Sequence, residues 1–291
     1  MTHKRMFKRS KLALAMLALP VAVSAQDNGN VLEEVLVTAR KQSETLQDVP
    51  FSIAAMTEGK LKQSGATDLE SMATNVAGIS IQNLGPGQSQ VSIRGISAGQ
   101  IVRDQPGVKE QVGVYFDESV ISMSLFTPDL DFYDINRVEV LRGPNALLFG
   151  RGGTGGILNR VTKKGQIGEA FTGYQLGLNS FGGYNGQIDY NISPNDTSAF
   201  RINAMYESLE GHRDFFEGDI FAVNPTARFQ LSPQTTLDVS YEYIDQERFI
   251  DRGIPTGADG RPVEAFEDIV FGDRDINTTT LEAHILRAAV S

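Results

Sequence analysis

Residues 137–165 read RVEVLRGPNALLFGRGGTGGILNRVTKKG. Arg137 to Leu141 is a β-branched, apolar run that predicts a strand, and ILNRV, residues 157–161, predicts another. The glycine-rich run GPNALLFGRGGTGG lies between them. Gly150, Gly152 and Gly155 match G-x-G-x-x-G, the dinucleotide fingerprint. That chemistry needs a helix after the glycines, whose N-terminus holds the pyrophosphate, and an acid roughly 20 residues on. Here a β-like run follows, and position 175 is Gln175. The glycines therefore do not read as a phosphate cradle.

Working outward toward the N-terminus, residues 45–165 read as one α+β domain. Phe51 to Ala55 is a strand candidate, and Thr57 to Ser64 a short helix stopped by Gly65. Thr67-Asp68-Leu69-Glu70 has capping-box spacing and predicts a second helix ending near Gly78. Further strands are expected at 79–81, 91–93 and 112–115, separated by the glycine-rich loops NLGPGQSQ and SAGQIVRDQPGV. Upstream, Val35 to Thr38 is an isolated β-like run between polar stretches. A lone strand must find a partner, either in its own domain or in another protein that accepts an added strand.

The first 25 residues read as an export signal. Lys4, Arg5, Lys8, Arg9 and Lys11 precede LALAMLALPVAV, and Val23-Ser24-Ala25 supplies small residues for cleavage after Ala25. Removing those five cations leaves 21 Lys+Arg against 36 Asp+Glu, a formal −15, which disfavours nucleic acid as a partner. Cysteine is absent, and once His3 goes with the signal only His212 and His284 remain, far apart in sequence. Thiolate metal sites, zinc sites and His-based triads are disfavoured. No metal or cofactor is expected, and no acid/base or nucleophile constellation supports an enzyme.

Toward the C-terminus, from about residue 168, the period changes to strict alternation. Ile188, Tyr190 and Ile192 oppose Gln187, Asp189 and Asn191; Phe200, Ile202, Ala204 and Tyr206 oppose Arg201, Asn203 and Glu207. Residues 170–178, 227–231 and 237–243 repeat the pattern, and 278–290 does so more weakly. Strands of about ten residues with one apolar face suit a barrel with hydrocarbon outside and a wet lumen inside. The connections alternate as well. Tight turns at 193–196 and 232–235 contrast with long polar loops at 209–224 and 249–276, the arrangement of outer-membrane barrels rather than soluble sandwiches.

EEVLVTA at 33–39, QDVPFSI, SIRGI, VGVYFDES and the 137–165 run, in that order, resemble the TonB-dependent receptors of the bacterial outer membrane. The likeness is dense over 33–165 and architectural beyond. It implies a plug inside a transmembrane β-barrel of 22 strands, of which about six are expected here, so the sequence reads as a fragment. It implies a periplasmic tether at 26–44 with a TonB box at Glu34, Val35, Leu36, Val37, Thr38 and Ala39. That box donates a strand to TonB, whose inner-membrane complex supplies the energy. Arg94 and Arg142 resemble plug arginines that pair with barrel acids. Plug loops with Gln88, Gln90, Gln100, Arg103, Asp104 and Gln105 would floor the ligand site. The implied function is active import of a scarce ligand, a ferric siderophore first. A vitamin, a carbohydrate or another small organic compound is the alternative within the family, and a passive porin-like barrel the one outside it. About eight residues between signal and box leave no room for an N-terminal signalling domain.

Overall fold

The apolar runs flanking the glycines become neighbouring strands in a computed structural model, which describes residues 35–38, 44–50, 52–83, 89–97, 111–121, 132–150, 153–251, 253–273 and 275–291. The expected signal segment, 1–25, lies outside these residues. Strand β1 (Leu36–Val37) pairs antiparallel with β2 (Glu44–Thr45). There follow β3 (Ile53–Thr57), α1 (Glu58–Ser64), α2 (Leu69–Ala73), β4 (Ile79–Asn83) and β5 (Ser89–Ile93). Then come β6 (Val112–Phe116), β7 (Ser119–Val120), β8 (Ile135–Arg142), α3 (Ala146–Phe149) and β9 (Gly156–Thr162). A five-stranded sheet runs β3-β8-β9-β6-β7, with β6 parallel to β9 and the other pairs antiparallel, while β4 and β5 form a separate hairpin.

Local chemistry sets the element ends. Thr57 caps α1, its hydroxyl accepting the Lys60 amide at 3.4 Å, and Gly65 ends it at φ 68°. The second helix departs from the expected box. Asp68 is the cap and Ser71 closes the box, because Ser71 Oγ reaches back to the Asp68 amide at 3.2 Å. The helix stops at Ala73, five residues short of Gly78. Gly156 sits at φ 153°, where a Cβ would stand 2.6 Å from the Leu141 carbonyl oxygen and 2.7 Å from Ile93 Cδ1. The glycine run thus brings β9 against β8 and the β5 turn, and a strand follows it where a nucleotide fold needs a helix. Leu69, Met72, Ile93, Val138, Val140 and Leu158 form the centre of the core.

Strands β10 (Phe171–Leu178), β11 (Tyr184–Asn195), β12 (Ser198–Glu210), β13 (Glu217–Ser232), β14 (Thr235–Phe249) and β15 (Thr278–Val290) form one antiparallel sheet in chain order. The connections are 179–183, 196–197, 211–216, 233–234 and 250–277, short at one end and longer at the other. The expected loop at 209–224 shrinks to 211–216. Its residues Ile220 and Ala222 alternate with Asp219 and Phe221 and pair along β12, so they are strand. The outward face carries Ile188, Tyr190, Phe200, Ile202 and Leu286. Tyr184–Tyr206 and Phe221–Tyr243 contacts lie toward the longer connections and Phe200–Phe229 toward the short turns, like the aromatic girdles of a barrel in a bilayer. The inward face is not the wet lumen expected. Met205, Ile220, Ala222 and Ile244 pack against Phe116 and Tyr133 of the α+β domain, and Asn203 and Glu242 are fully buried beneath it.

Candidate functional site

The run at 35–38, within the expected 26–44 tether, is paired and not a free strand. Its pairing with β2, and the Leu46 amide donating to the Val35 carbonyl at 2.9 Å, close a small hairpin. Val37 is fully buried against Val49, Tyr115, Leu141 and Phe149, whereas Leu36 is half exposed. One apolar side chain anchors the segment because alternation sends its neighbour outward. Thr38 then meets Glu139 on β8. The Thr38 amide donates to Glu139 Oε1 at 2.8 Å, and Arg137 Nε donates to the same oxygen at 2.7 Å. Glu34 and Ala39 lie outside the described residues.

Arg94 and Arg142 come together on either side of Gly78. Arg94, at φ 52° in the turn after β5, donates to Ser52 Oγ at 3.0 Å, and Arg142 donates to the Ala77 carbonyl at 3.1 Å. Among the described residues neither meets an acid. Burial and the nearby Arg94 charge both lower the pKa of Arg142. Two guanidiniums held side by side form a ready socket for carboxylates. Gln90 lies on β5, its side-chain amide donating to Ser97 Oγ at 3.2 Å. Gln88, Gln100, Arg103, Asp104 and Gln105 of the expected ligand floor lie outside the described residues.

A third polar cluster joins the domain to the strands. Asp117 and Glu118 form the two-residue β6–β7 turn, both with positive φ, as the twist of a tight hairpin demands. Asp117 accepts from the Thr162 hydroxyl at 2.6 Å and from Lys164 Nζ at 2.8 Å, with Arg287 Nε at 3.5 Å. Burial alone would raise the Asp117 carboxyl, but the Lys164 and Arg287 cations hold it below its ordinary range. Arg287 also pairs with Glu242 at 3.2 Å, and Glu242 accepts the Tyr133 hydroxyl at 3.0 Å. Asn224 donates to the buried Asp134 carboxylate at 2.5 Å, and burial raises the pKa of Asp134. Lys163 bridges Glu58 of α1 and Asp189 of β11 at 3.0 and 3.1 Å.

Residues 45–157 match the family model for the TonB-dependent receptor plug domain. The chain belongs to the TonB-dependent receptors. It is 37% identical over 126 residues to the metal-pseudopaline receptor CntO of Pseudomonas aeruginosa, across 42% of this chain and 18% of that protein. The ferric-pyoverdine M114 receptor PbuA of Pseudomonas sp. strain M114 is 31% identical over 231 residues, 77% of this chain and 26% of its own length. The crystal structure of the siderophore receptor PiuA from Acinetobacter baumannii superimposes with a TM-score of 0.73 at 22% identity, over 85% of this chain and 34% of that one. The chain spans about a fifth to a third of the length of these relatives. The α+β domain is thus the plug, and β10–β15 are strands of the barrel wall.

Within this receptor, several residues central to the geometry were not singled out in the sequence. Glu139 sits in the run Val138-Glu139-Val140, where an acid between strand residues buried on both sides has to be paired. That was the available signal. Tyr133, Asp134 and Asp117 carry no such local mark, since their partners on the wall strands are 109, 90 and 170 positions away.

Proposed function

We propose that this receptor imports a ferric siderophore across the outer membrane, energised by TonB acting on the box at 34–39. The observation that carries this is the plug packed on the inner face of β10–β15 with ion pairs between them, an arrangement that in a complete barrel would close the lumen to passive flow. A closed lumen needs work to open, and a strand-forming segment at 35–38 is suited to receiving it by strand addition. The receptors CntO and PbuA, whose names record metal-pseudopaline and ferric-pyoverdine, support a chelated metal as cargo.

In this reading 1–25 direct export, 26–44 are the periplasmic tether, 45–165 the plug, and 168–291 the first strands of a larger barrel. Arg94 and Arg142 pair with acids on wall strands. Gln88, Gln90, Gln100, Arg103, Asp104 and Gln105 line the cargo site. The test is radio-iron uptake by cells carrying the full receptor gene, with and without TonB. Siderophore-delivered uptake should vanish without TonB while surface binding persists; equal uptake in both strains would sink the proposal.

A further inference from the structure

Residues 163–170, which carry the chain from β9 of the plug to β10 of the wall, are held by side chains of β11 and β12. The β10–β11 ladder begins at Phe171 opposite Asn191, and the Asn191 side chain extends it beyond that pair. Its Oδ1 accepts the Gln166 amide at 3.0 Å, and its Nδ2 donates to the carbonyls of Gln166 and Glu169 at 3.0 and 2.7 Å. Engaging both backbone groups of one residue is what a strand neighbour does, and a side-chain amide has the donor and the acceptor to imitate it. Ser193 Oγ accepts the Gly168 amide at 2.8 Å. Arg201 donates to the Lys164 carbonyl at 3.1 Å, and both Arg201 and Lys163 bind Asp189. At Gly165 a Cβ would stand 2.9 Å from the Ala199 carbonyl oxygen, so the connection lies directly on β12. Asn191 and Ala199 are fully buried.

We propose that Asn191 is the positioning residue that seats the plug during assembly, and that the plug docks on β10–β12 before its contacts with β13–β15 form. The bonds of the connection to β11 and β12 span only 22 to 37 positions in sequence, whereas Asp134–Asn224 and Tyr133–Glu242 span 90 and 109. Loop closure costs more as the loop lengthens, so the local set forms first. Three wall strands are therefore enough to fix the end of the plug. Asn191 is the centre of that set, because removing its amide leaves the Gln166 amide and the Gln166 and Glu169 carbonyls without their partner at a buried site. The order also serves the later contacts. The Lys163 amide donates to the Asp134 carbonyl at 2.8 Å, so placing the connection brings Asp134 to where Asn224 will meet it.

In cells carrying the complete receptor, pulse-labelled protein is followed by two readouts: heat-modifiable mobility for the barrel and trypsin resistance for the plug. Asn191→Ala should leave the first on its wild-type time course and lengthen the half-time of the second about tenfold. Asn191→Asp keeps the shape of the side chain and loses both donors, so it should be at least as slow; a space-filling role would leave it at the wild-type rate. Ser193→Ala removes a single acceptor and should lag in the same direction by a smaller factor, and it carries the test if neither Asn191 variant assembles. Asn224→Ala should gain trypsin resistance on the wild-type time course and lose it sooner on heating, because its bond to Asp134 forms after seating. Wild-type timing in Asn191→Asp, or in Ser193→Ala where the Asn191 variants do not assemble, overturns the seat. A delay in Asn224→Ala equal to that of Asn191→Ala overturns the order.

Discussion

Ile202 and Asn203 are neighbours on β12, and they invert the usual rule for a folded protein. Ile202 is 38% exposed and Asn203 is 0% exposed. Along β12–β14 the same inversion repeats: Phe200, Tyr206, Phe221 and Tyr241 point outward, while Arg201, Asn224, Ser240 and Glu242 are covered. The outer face is set by its solvent, which is hydrocarbon, and asks only for apolar surface. The inner face is set by a specific partner, the plug, whose Tyr133 and Asp134 bond to Glu242 and Asn224. Outward residues are thus interchangeable within a chemical class, and inward residues are not.

That contrast breaks most visibly at Glu242. Glu242→Leu leaves the Arg287 guanidinium and the Tyr133 hydroxyl without their shared acceptor beneath the plug. Removing one partner of a buried pair costs about 3–5 kcal/mol, so the plug should become protease-sensitive in an assembled barrel. Next comes Ile202→Arg, where an outward charge in mid-strand costs roughly 2–4 kcal/mol. Here the barrel itself should fail to reach its heat-modifiable form. Asn203→Arg, which a wet lumen would tolerate, should also be damaging, because Asn203 lies under the plug.

A smaller effect separates the faces by pH. The Asp117 carboxyl is a stronger acid folded than unfolded, where its value is about 3.9. Its stabilisation is therefore present above that value and is lost as pH falls through the lower folded one. The thermal midpoint of Asp117→Asn should lie below that of wild type at pH 7, and the gap should close on acidification. An unchanging gap would mean that Asp117 does not act through its charge. The smallest effect is expected on the exposed side of the plug. Lys62 meets Glu58 at 2.6 Å but is 61% exposed, so Lys62→Ala should cost about 0.3–0.5 kcal/mol by chemical denaturation.

Sequence legibility follows the same division. The outward faces of β11, β12 and β14 were readable because hydrocarbon imposes a period on neighbouring residues, and Phe200, Ile202 and Tyr206 show it locally. The first half of β13 was not. Phe221, Ala222 and Val223 sit among Glu217, Asp219 and Asn224, and the run looks like loop until β12 pairs with it. The inner face was legible as polar but not as buried, since nothing near Asn224 announces that Asp134 will lie against it. Likewise the isolation of Val35 to Thr38 in sequence hid the hairpin, because the burial of Val37 depends on Leu141 and Phe149 a hundred residues away.

The central claim is that a docked N-terminal strand links a closed plug to an external source of work. Leu36→Pro tests it most directly, because proline removes a backbone donor and fixes φ in the segment proposed to pair with TonB. In cells carrying the complete receptor, ferric-siderophore binding at the surface and radio-iron accumulation are measured side by side. The account predicts unchanged binding and abolished accumulation; accumulation at the wild-type rate would contradict it.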